Sequence, residues 1–584
     1  MSSSSSSSPT TSSAASTVPT TTSTAAANGD SETVADLKRQ LRAEKKAEQQ
    51  RRKDERKRIA LETGVDPALL PEALGGGAAG GKLQPRGFRA REWADVPPPP
   101  SSSSQTRRGA DGGAKELSIM SWNMLAQALV RRELFPGSDC LKGKDRLPPL
   151  MAEVLYYAPD VACLQEVDRL SDHLPHLTRT HGYTSFIGYR NKPHGLVIAH
   201  KNSVFEKVGE RGLRLDEQPI DDDPEPQPSS SRAADHHVDA PKDAEPPASE
   251  PNDEERPPDA ATPTSRASRL AAGLSRTTRN VALFVALKFK DRDEGVIVGT
   301  THLFWHPKHV YERVRQTGIL LREANKFREE SPNEAWKDWP VFLAGDFNTQ
   351  PCELTYRLLL GSPFSPALLD EFNHSSCVHH SVDKFYDPSY EPPTPAEPEA
   401  KEGDEQPAGS DEEDPDKVIK NTRPARPEDG LADIDQIKRL YGYQEGRGSG
   451  LRSAYGENYG LIEGEQDKWY CARGPEVQNG NDPKPRLTAA EIEERSRGAT
   501  WDERVARGDF EPIYTNFTPL WRCTLDFVFL LPPLPSSARH PSVRFTSLLK
   551  MHDEETMGPG LPRKGIEPSD HVAIATVVEL SRSD

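Results

Sequence analysis

The sequence predicts a mixed-sheet α/β sandwich, and three observations carry that reading. Short apolar or alternating runs of strand length recur along the chain and outnumber the helical stretches. They do not alternate regularly with helices, which disfavours a doubly wound nucleotide-binding sheet. Several end in polar residues, as strands do when they deliver side chains to one edge of a sheet.

Taken in order, the first run, Leu117 to Ser121, leads into Ser121-Trp122-Asn123, and the second, Val161 to Leu164, into Gln165-Glu166. Gly195 to His200, Val281 to Phe289 and Val296 to Thr300 follow, the last running into Thr301-His302. Lys308 to Glu330 repeats Val310, Val314, Thr317, Leu321 and Ala324 at helical spacing. Val341 to Ala344 reads as a buried strand, and Gly345 then frees the backbone where Asp346, Asn348 and Thr349 appear. A carboxylate and a carboxamide two residues apart at a strand end face the same side, toward one phosphate, one water or one hard metal ion. Pro351 is placed to start a helix through Leu354 and Leu358. Leu525 to Leu530 contains Asp526, a carboxylate that must be paired if it is buried among Leu525, Phe527 and Val528. Ser569-Asp570-His571 precedes the final run, Val572 to Leu580.

Composition limits how much of the 584 residues can form a core, since the chain has 53 Pro, 34% hydrophobic residues and a net charge of -17. The acidity is concentrated. Asp216 to Asp259 carries -12 and Asp387 to Asp416 carries -11, which leaves the rest at +6. These stretches read as disordered insertions, at about 209–272 and 386–430, and overall acidity therefore does not argue against a polyanionic substrate. Residues 1–115 read as a disordered N-terminal region with a basic helical segment at 33–62, leaving 116–584 as one interrupted domain. The Ser/Thr-rich start lacks the apolar stretch of a secretory signal, and no run of apolar residues reaches membrane-spanning length. Six cysteines without paired metal spacing fit a reducing compartment, so a cytoplasmic or nuclear protein without membrane attachment is expected. No GxxxxGK loop supports ATP or GTP use.

Read together, these polar strand ends resemble the endonuclease/exonuclease/phosphatase superfamily, the DNase I-like metal-dependent phosphoesterases. SWNMLAQ at Ser121, THLFWHP at Thr301, LRSAY at Leu451 and YTNFTPLWRCTLDFVF at Tyr514 look most like its deadenylase-related branch, particularly the fungal Ngl RNA exonucleases and nocturnin. The resemblance implies a four-layered DNase I-like sandwich, two mixed β-sheets packed face to face with helices outside. It implies one or two Mg²⁺, with Mn²⁺ as a substitute, held by Glu166 with Asp346, Asn348, Asp570 and His571, and Asn123 beside Glu166. Asp346 and Asn348 would contact the attacking water and the phosphate. His571, paired with Asp526, would face the phosphate opposite the nucleophile, and His302 would bind a phosphate oxygen. Trp521 and Asn348 would sandwich the base, next to Pro307.

The implied activity is 3′–5′ exoribonucleolytic hydrolysis of phosphodiester bonds at single-stranded RNA 3′ ends, in RNA processing or deadenylation, by a monomer. His194-Gly195 and Trp305-His306-Pro307 depart from the Asp-Gly and Trp-Asp-Pro of the mRNA deadenylases, which puts strict poly(A) preference in doubt. No LxxLxL repeat precedes Glu116, so the leucine-rich platform of the large deadenylase complex is missing. Two alternatives stay open: a small-molecule phosphatase of nocturnin type and a non-catalytic RNA-binding scaffold.

Overall fold

The computed structural model describes residues 87–97, 114–178, 181–189, 192–220, 278–330, 336–379, 383, 422–429, 431–442, 450–473, 486–537 and 539–581. In chain order its strands are β1 (Trp93–Asp95), β2 (Lys115–Asn123), β3 (Val161–Val167), β4 (His181–Phe186), β5 (Gly195–Lys201), β6 (Phe205–Arg214), β7 (Val281–Phe289), β8 (Gly295–Thr301) and β9 (Val341–Asp346). There follow β10 (Val378–His379), β11 (Thr422–Arg423), β12 (Arg452–Ser453), β13 (Asn516–Phe517), β14 (Arg522–Cys523), β15 (Asp526–Leu530), β16 (Ser542–Leu549) and β17 (Ile574–Ser581).

Two large mixed sheets result, one ordered β1-β16-β17-β2-β3-β5-β4 and the other β12-β15-β9-β8-β7-β6. Alternation along each strand explains the layering. Leu117 and Ile119 of β2, Val161 and Cys163 of β3, Val296 and Val298 of β8, Phe342 and Ala344 of β9, and Val528 and Leu530 of β15 share one buried cluster, the core between the sheets. The intervening residues point outward. Val341, Leu343, Phe527 and Phe529 join the helix Val310–Glu329, and Met120, Trp122 and Leu164 join the helix Gly143–Tyr157. The layers are thus helix, sheet, sheet, helix, the expected DNase I-like sandwich.

The structure moves several expected boundaries. β1 lies inside the stretch read as a disordered N-terminal region, yet pairs antiparallel with β16, and Val96 N donates to Thr546 O. A three-residue strand ahead of a run of prolines carries too little pattern to be read. β6 runs to Arg214 and a 3-10 turn covers Leu215–Glu217, so the first insertion starts later than 209. β6 is mostly polar because one face is solvated, and its pairing with β7 supplies the order. At the second insertion, Arg423 and Asp429, both within the stretch assigned to 386–430, pair with each other, and Arg423 also pairs with Asp383 just before it. The helix after Asn348 is Leu354–Leu359 with Glu353 at its N-cap, so Pro351 stands in the preceding turn. The basic 33–62 segment and most of both acidic insertions lie outside the described residues. No helix among the described residues is long and apolar enough to cross a membrane.

Candidate active site

The same alternation that builds the core carries polar side chains to one edge of the sandwich. Asn123 continues the inner-face row of β2, Asp346 that of β9, and Asp526 that of β15. Because β15 is antiparallel to β9 with Asp526 directly opposite Asp346, the start of one strand and the end of the other meet. His571 lies just before β17, which is antiparallel to β2, so it reaches that edge too. His302 follows β8 and bridges Asp346 in parallel register.

Glu166 needs a different device. Inner-face alternation in β3 falls on Gln165, whose Nε2 donates to Thr300 Oγ1 of the opposite sheet at 3.0 Å. Glu166 would then face outward. Instead the pairing of β3 with β5 shifts register between Leu164 and Val167, and Glu166 has a φ of 54°. An irregularity of this kind re-aims one side chain at a cost of order 1–3 kcal/mol for the left-handed backbone. Asn348 carries similar strain at φ 46°. Both strained residues flank the cluster.

The side chains converge closely. Asn123 Nδ2 donates to Glu166 Oε1 at 3.1 Å and to Asp346 Oδ2 at 3.0 Å, which ties β2, β3 and β9 together. Glu166 Oε2 accepts from Ala126 N at 2.9 Å. His302 Nε2 lies 3.6 Å from Asp346 Oδ2 and 3.9 Å from Glu166 Oε1. His571 Nδ1 is 2.7 Å from Asp526 Oδ2, while its Nε2 is 3.7 Å from Asp346 Oδ2. Asn348 N donates to Asp346 Oδ1 and its Nδ2 to Leu303 O, both at 2.9 Å. Asp570 is buried and its Oδ2 accepts from Asn516 Nδ2 at 3.4 Å.

Burial and crowding set the electrostatics. Burial, with Asp526 opposite, pushes the Asp346 carboxyl up to about 7, although His571 and the Asn123 and Asn348 bonds oppose the shift. At His571 burial opposes charging, but Asp526, Asp346 and Asp570 outweigh it and hold the imidazole well above its ordinary value. Burial, with Lys192 and His571 nearby, takes His302 down to about 3, so its ring is neutral. One imidazole is thus charged and one is not.

Can these groups hold a hard cation? Asp346, Asp526 and His571 offer ligand atoms within 4.8 Å of one another. His571 Nδ1 is engaged by Asp526 Oδ2, so Glu166 and Asp346, with the unpartnered Asp526 Oδ1, offer oxygen donors for an ion, beside Asn348 and the buried Asp570. Two carboxylates bridged by an amide fit Mg²⁺, which prefers oxygen and keeps several waters.

Trp521 lies in the turn between β13 and β14, its exposed ring on a backbone fixed by Thr518 N to Trp521 O and Trp521 N to Thr518 Oγ1, both 2.9 Å. That hairpin is anchored to the cluster, since Asn516 bridges His571 and Phe517 N donates to Asp570 O. Pro307 is exposed, and its carbonyl accepts from Arg313 Nη2 at 2.9 Å. His194 is buried with its ring centroid 6.4 Å from that of His302.

Sequence reasoning missed several contributors. Arg146, buried, donates to Met124 O, Leu125 O and Pro568 O at 2.5, 2.6 and 2.7 Å, clamping the loops that follow Asn123 and precede His571. Lys192, which donates to Arg279 O at 3.0 Å, is taken down to about 8 by burial despite the neighbouring Glu166 and Asp216. LRSAY, which the sequence did single out, is a brace: Ser453 Oγ donates to Glu511, and Tyr455 Oη to Leu549 O at 2.6 Å. A lone Arg in GKDRLPP or Lys in RNKPHG gives no sequence signal, because its partners are backbone carbonyls or distant residues.

Residues 120–400, which include Asn123, Glu166, His302 and Asp346 at the edge of this two-sheet sandwich, match the Endonuclease/Exonuclease/phosphatase family. Among its relatives is a probable RNA exonuclease of Schizosaccharomyces pombe, 32% identical over 259 residues, 43% of this chain and 40% of that protein. RNA exonuclease NGL2 of Saccharomyces cerevisiae is 32% identical over 271 residues, 42% of each chain. The matches thus span about two-fifths of these relatives. The human Nocturnin catalytic domain with bound sulfate aligns with 86% of this chain and all of its own, at 17% identity and a TM-score of 0.39. ANGEL2, a 2′,3′-cyclic phosphatase, aligns with 85% of this chain and 99% of its own at 16% identity and a TM-score of 0.42.

Proposed function

We propose that this protein is a Mg²⁺-dependent exoribonuclease that hydrolyses phosphodiester bonds from the 3′ end of single-stranded RNA. The observation that carries the reading is Asn123 Nδ2 joining Glu166 to Asp346 while His571, backed by Asp526, faces the same Asp346 oxygen. Relatives named as RNA exonucleases support RNA as the substrate.

The chain's own groups divide the work. Asp346 orients the attacking water through its carboxylate and takes its proton. Charged His571 donates from Nε2 to a phosphoryl oxygen as negative charge grows there, its ring fixed through Nδ1 by Asp526. Neutral His302 adds a hydrogen bond to the phosphate, and Asn123 orients Glu166. Glu166 and Asp346 would hold a Mg²⁺ ion, which would supply Lewis-acid polarisation of the phosphoryl group. Trp521 stacks on the terminal base, which requires unpaired nucleotides. No covalent intermediate is involved. The cysteine pattern supports action in the cytoplasm or nucleus, and the chain acts as a monomer.

The test is a substrate panel: 5′-labelled RNAs ending in A, C, G or U, their duplex forms, and a 2′-phosphorylated nicotinamide dinucleotide. Progressive shortening from the 3′ end of single strands supports the proposal. Release of phosphate from the dinucleotide with intact RNA would instead favour a small-molecule phosphatase, and no turnover of either would favour a scaffold.

A further inference from the structure

Arg473 links the Asn348 loop to the Trp521 hairpin. Its Nη1 donates to Gln350 Oε1 and its Nη2 to Arg522 O, both at 2.8 Å. Gln350 lies two residues beyond Asn348, and Arg522 is next to Trp521, so one guanidinium spans the gap between the Asn348 loop and the Trp521 hairpin. The rings of Tyr470 and Tyr514 lie 5.4 and 5.5 Å from its central carbon, which fixes the plane of the group.

Its charge is uncompensated. Several neighbouring arginines are ion-paired: Arg486 with Asp467 and Glu554, Arg504 and Arg507 with Asp509, Arg522 with Glu554. Among the described residues no carboxylate lies within ion-pair distance of Arg473, which is half-buried and bound only to neutral acceptors. A guanidinium has five N–H donors. Two are spent on the protein.

We infer that Arg473 is a substrate-binding residue whose remaining donors grip a phosphodiester oxygen of the strand whose base stacks on Trp521. The ligand is a nucleic-acid phosphate, because a planar fork held over aromatic rings beside the Trp521 hairpin matches phosphate geometry. The inference rests on the exoribonuclease reading and adds to it how the non-scissile part of the strand is held.

The experiment measures kcat/KM of the full chain on a 5′-labelled single-stranded RNA across a range of salt concentrations, for wild type, Arg473→Gln and Arg473→Lys. Each phosphate contact to a single strand contributes roughly 0.7 to the log–log salt slope. Arg473→Gln is expected to lose about tenfold at low salt with a slope shallower by about 0.7, and Arg473→Lys to keep the wild-type slope. Thermal denaturation detects a folding defect, and Arg473→Met, which retains the alkyl stem over the two tyrosines, gives the same readout if the glutamine variant does not fold. A wild-type slope in the uncharged variants, or an equally shallow one in Arg473→Lys, would overturn the assignment and leave Arg473 a strut. Wild-type protein that leaves RNA intact would overturn the exoribonuclease reading and this inference with it.

Discussion

His571 Nδ1 and Asp526 Oδ2 are 2.7 Å apart and both residues are buried, while the other ring nitrogen of His571 lies 3.7 Å from Asp346 Oδ2. The ring is therefore fixed in one orientation, and its charge is held between three carboxylates that include Asp570. Such a group acts when negative charge develops on phosphate. His571→Ala should lower kcat by a hundredfold or more, on the order of 3 kcal/mol of transition-state stabilisation, with KM changed far less. Single-turnover kinetics check this, and near-full activity in His571→Ala would refute the role.

Trp521 makes a contrasting prediction. Loss of a stacking ring costs binding, worth about 1–3 kcal/mol, so Trp521→Ala should raise KM by roughly ten- to a hundredfold while kcat holds. Trp521→Phe should restore most of the affinity. Steady-state kinetics on a single-stranded RNA distinguish this from a core role, for which thermal stability would fall and KM would not move.

Arg146 ties together the loops after Asn123 and before Ser569 through three backbone carbonyls. Lysine keeps the charge but not the fork. Arg146→Lys is expected to reduce activity by about tenfold or more and to raise the Mg²⁺ concentration needed for half-maximal activity, as loss of supporting bonds around metal ligands does. A Mg²⁺ titration of both proteins provides the comparison. Identical half-saturation would show that the clamp does not support the ion site.

How much of this was legible in the chain follows from the kind of signal each residue gives. Asn123, Glu166, His302, Asp346, Asp526 and His571 were readable because each lies at or beside the end of a strand-like run, and the structure brings all six together. Asp526 stood out through burial logic, a carboxylate inside an apolar run. What aims Glu166 was not legible, since a register shift between Leu164 and Val167 depends on the β5 partner and leaves no local mark. β4 and β6 were missed for a related reason: both are partly solvated, and long-range pairing outweighs their weak patterns. Arg146 and Arg473 act on carbonyls and an amide hundreds or tens of residues away, which only the folded chain reveals.

Glu511 governs a pH effect remote from the cluster. Burial pushes its carboxyl up to about 7 against hydrogen bonds from Ser453 and Tyr356 that favour ionisation. Between its ordinary value of 4.5 and about 7 the folded chain keeps this proton while the unfolded chain releases it. Stability contributed at this site is therefore present below about 4.5 and lost as pH rises through about 7, on the order of a few kcal/mol. Glu511→Gln removes the effect, so its melting temperature relative to wild type should climb between pH 5 and pH 8. A difference that stays constant across that range would contradict the buried, protonated carboxyl.

On the proposed reading, Glu166, re-aimed by its strained backbone, joins Asp346 in holding the ion that hydrolysis requires. Shortening of a 5′-labelled single-stranded RNA by wild type and by Glu166→Gln, with increasing Mg²⁺ and with chelator, tests it most directly. Wild type should produce a ladder that depends on Mg²⁺ and disappears with chelator, and Glu166→Gln should produce almost none. Equal shortening by the variant, or shortening by wild type that persists in chelator, would contradict the account.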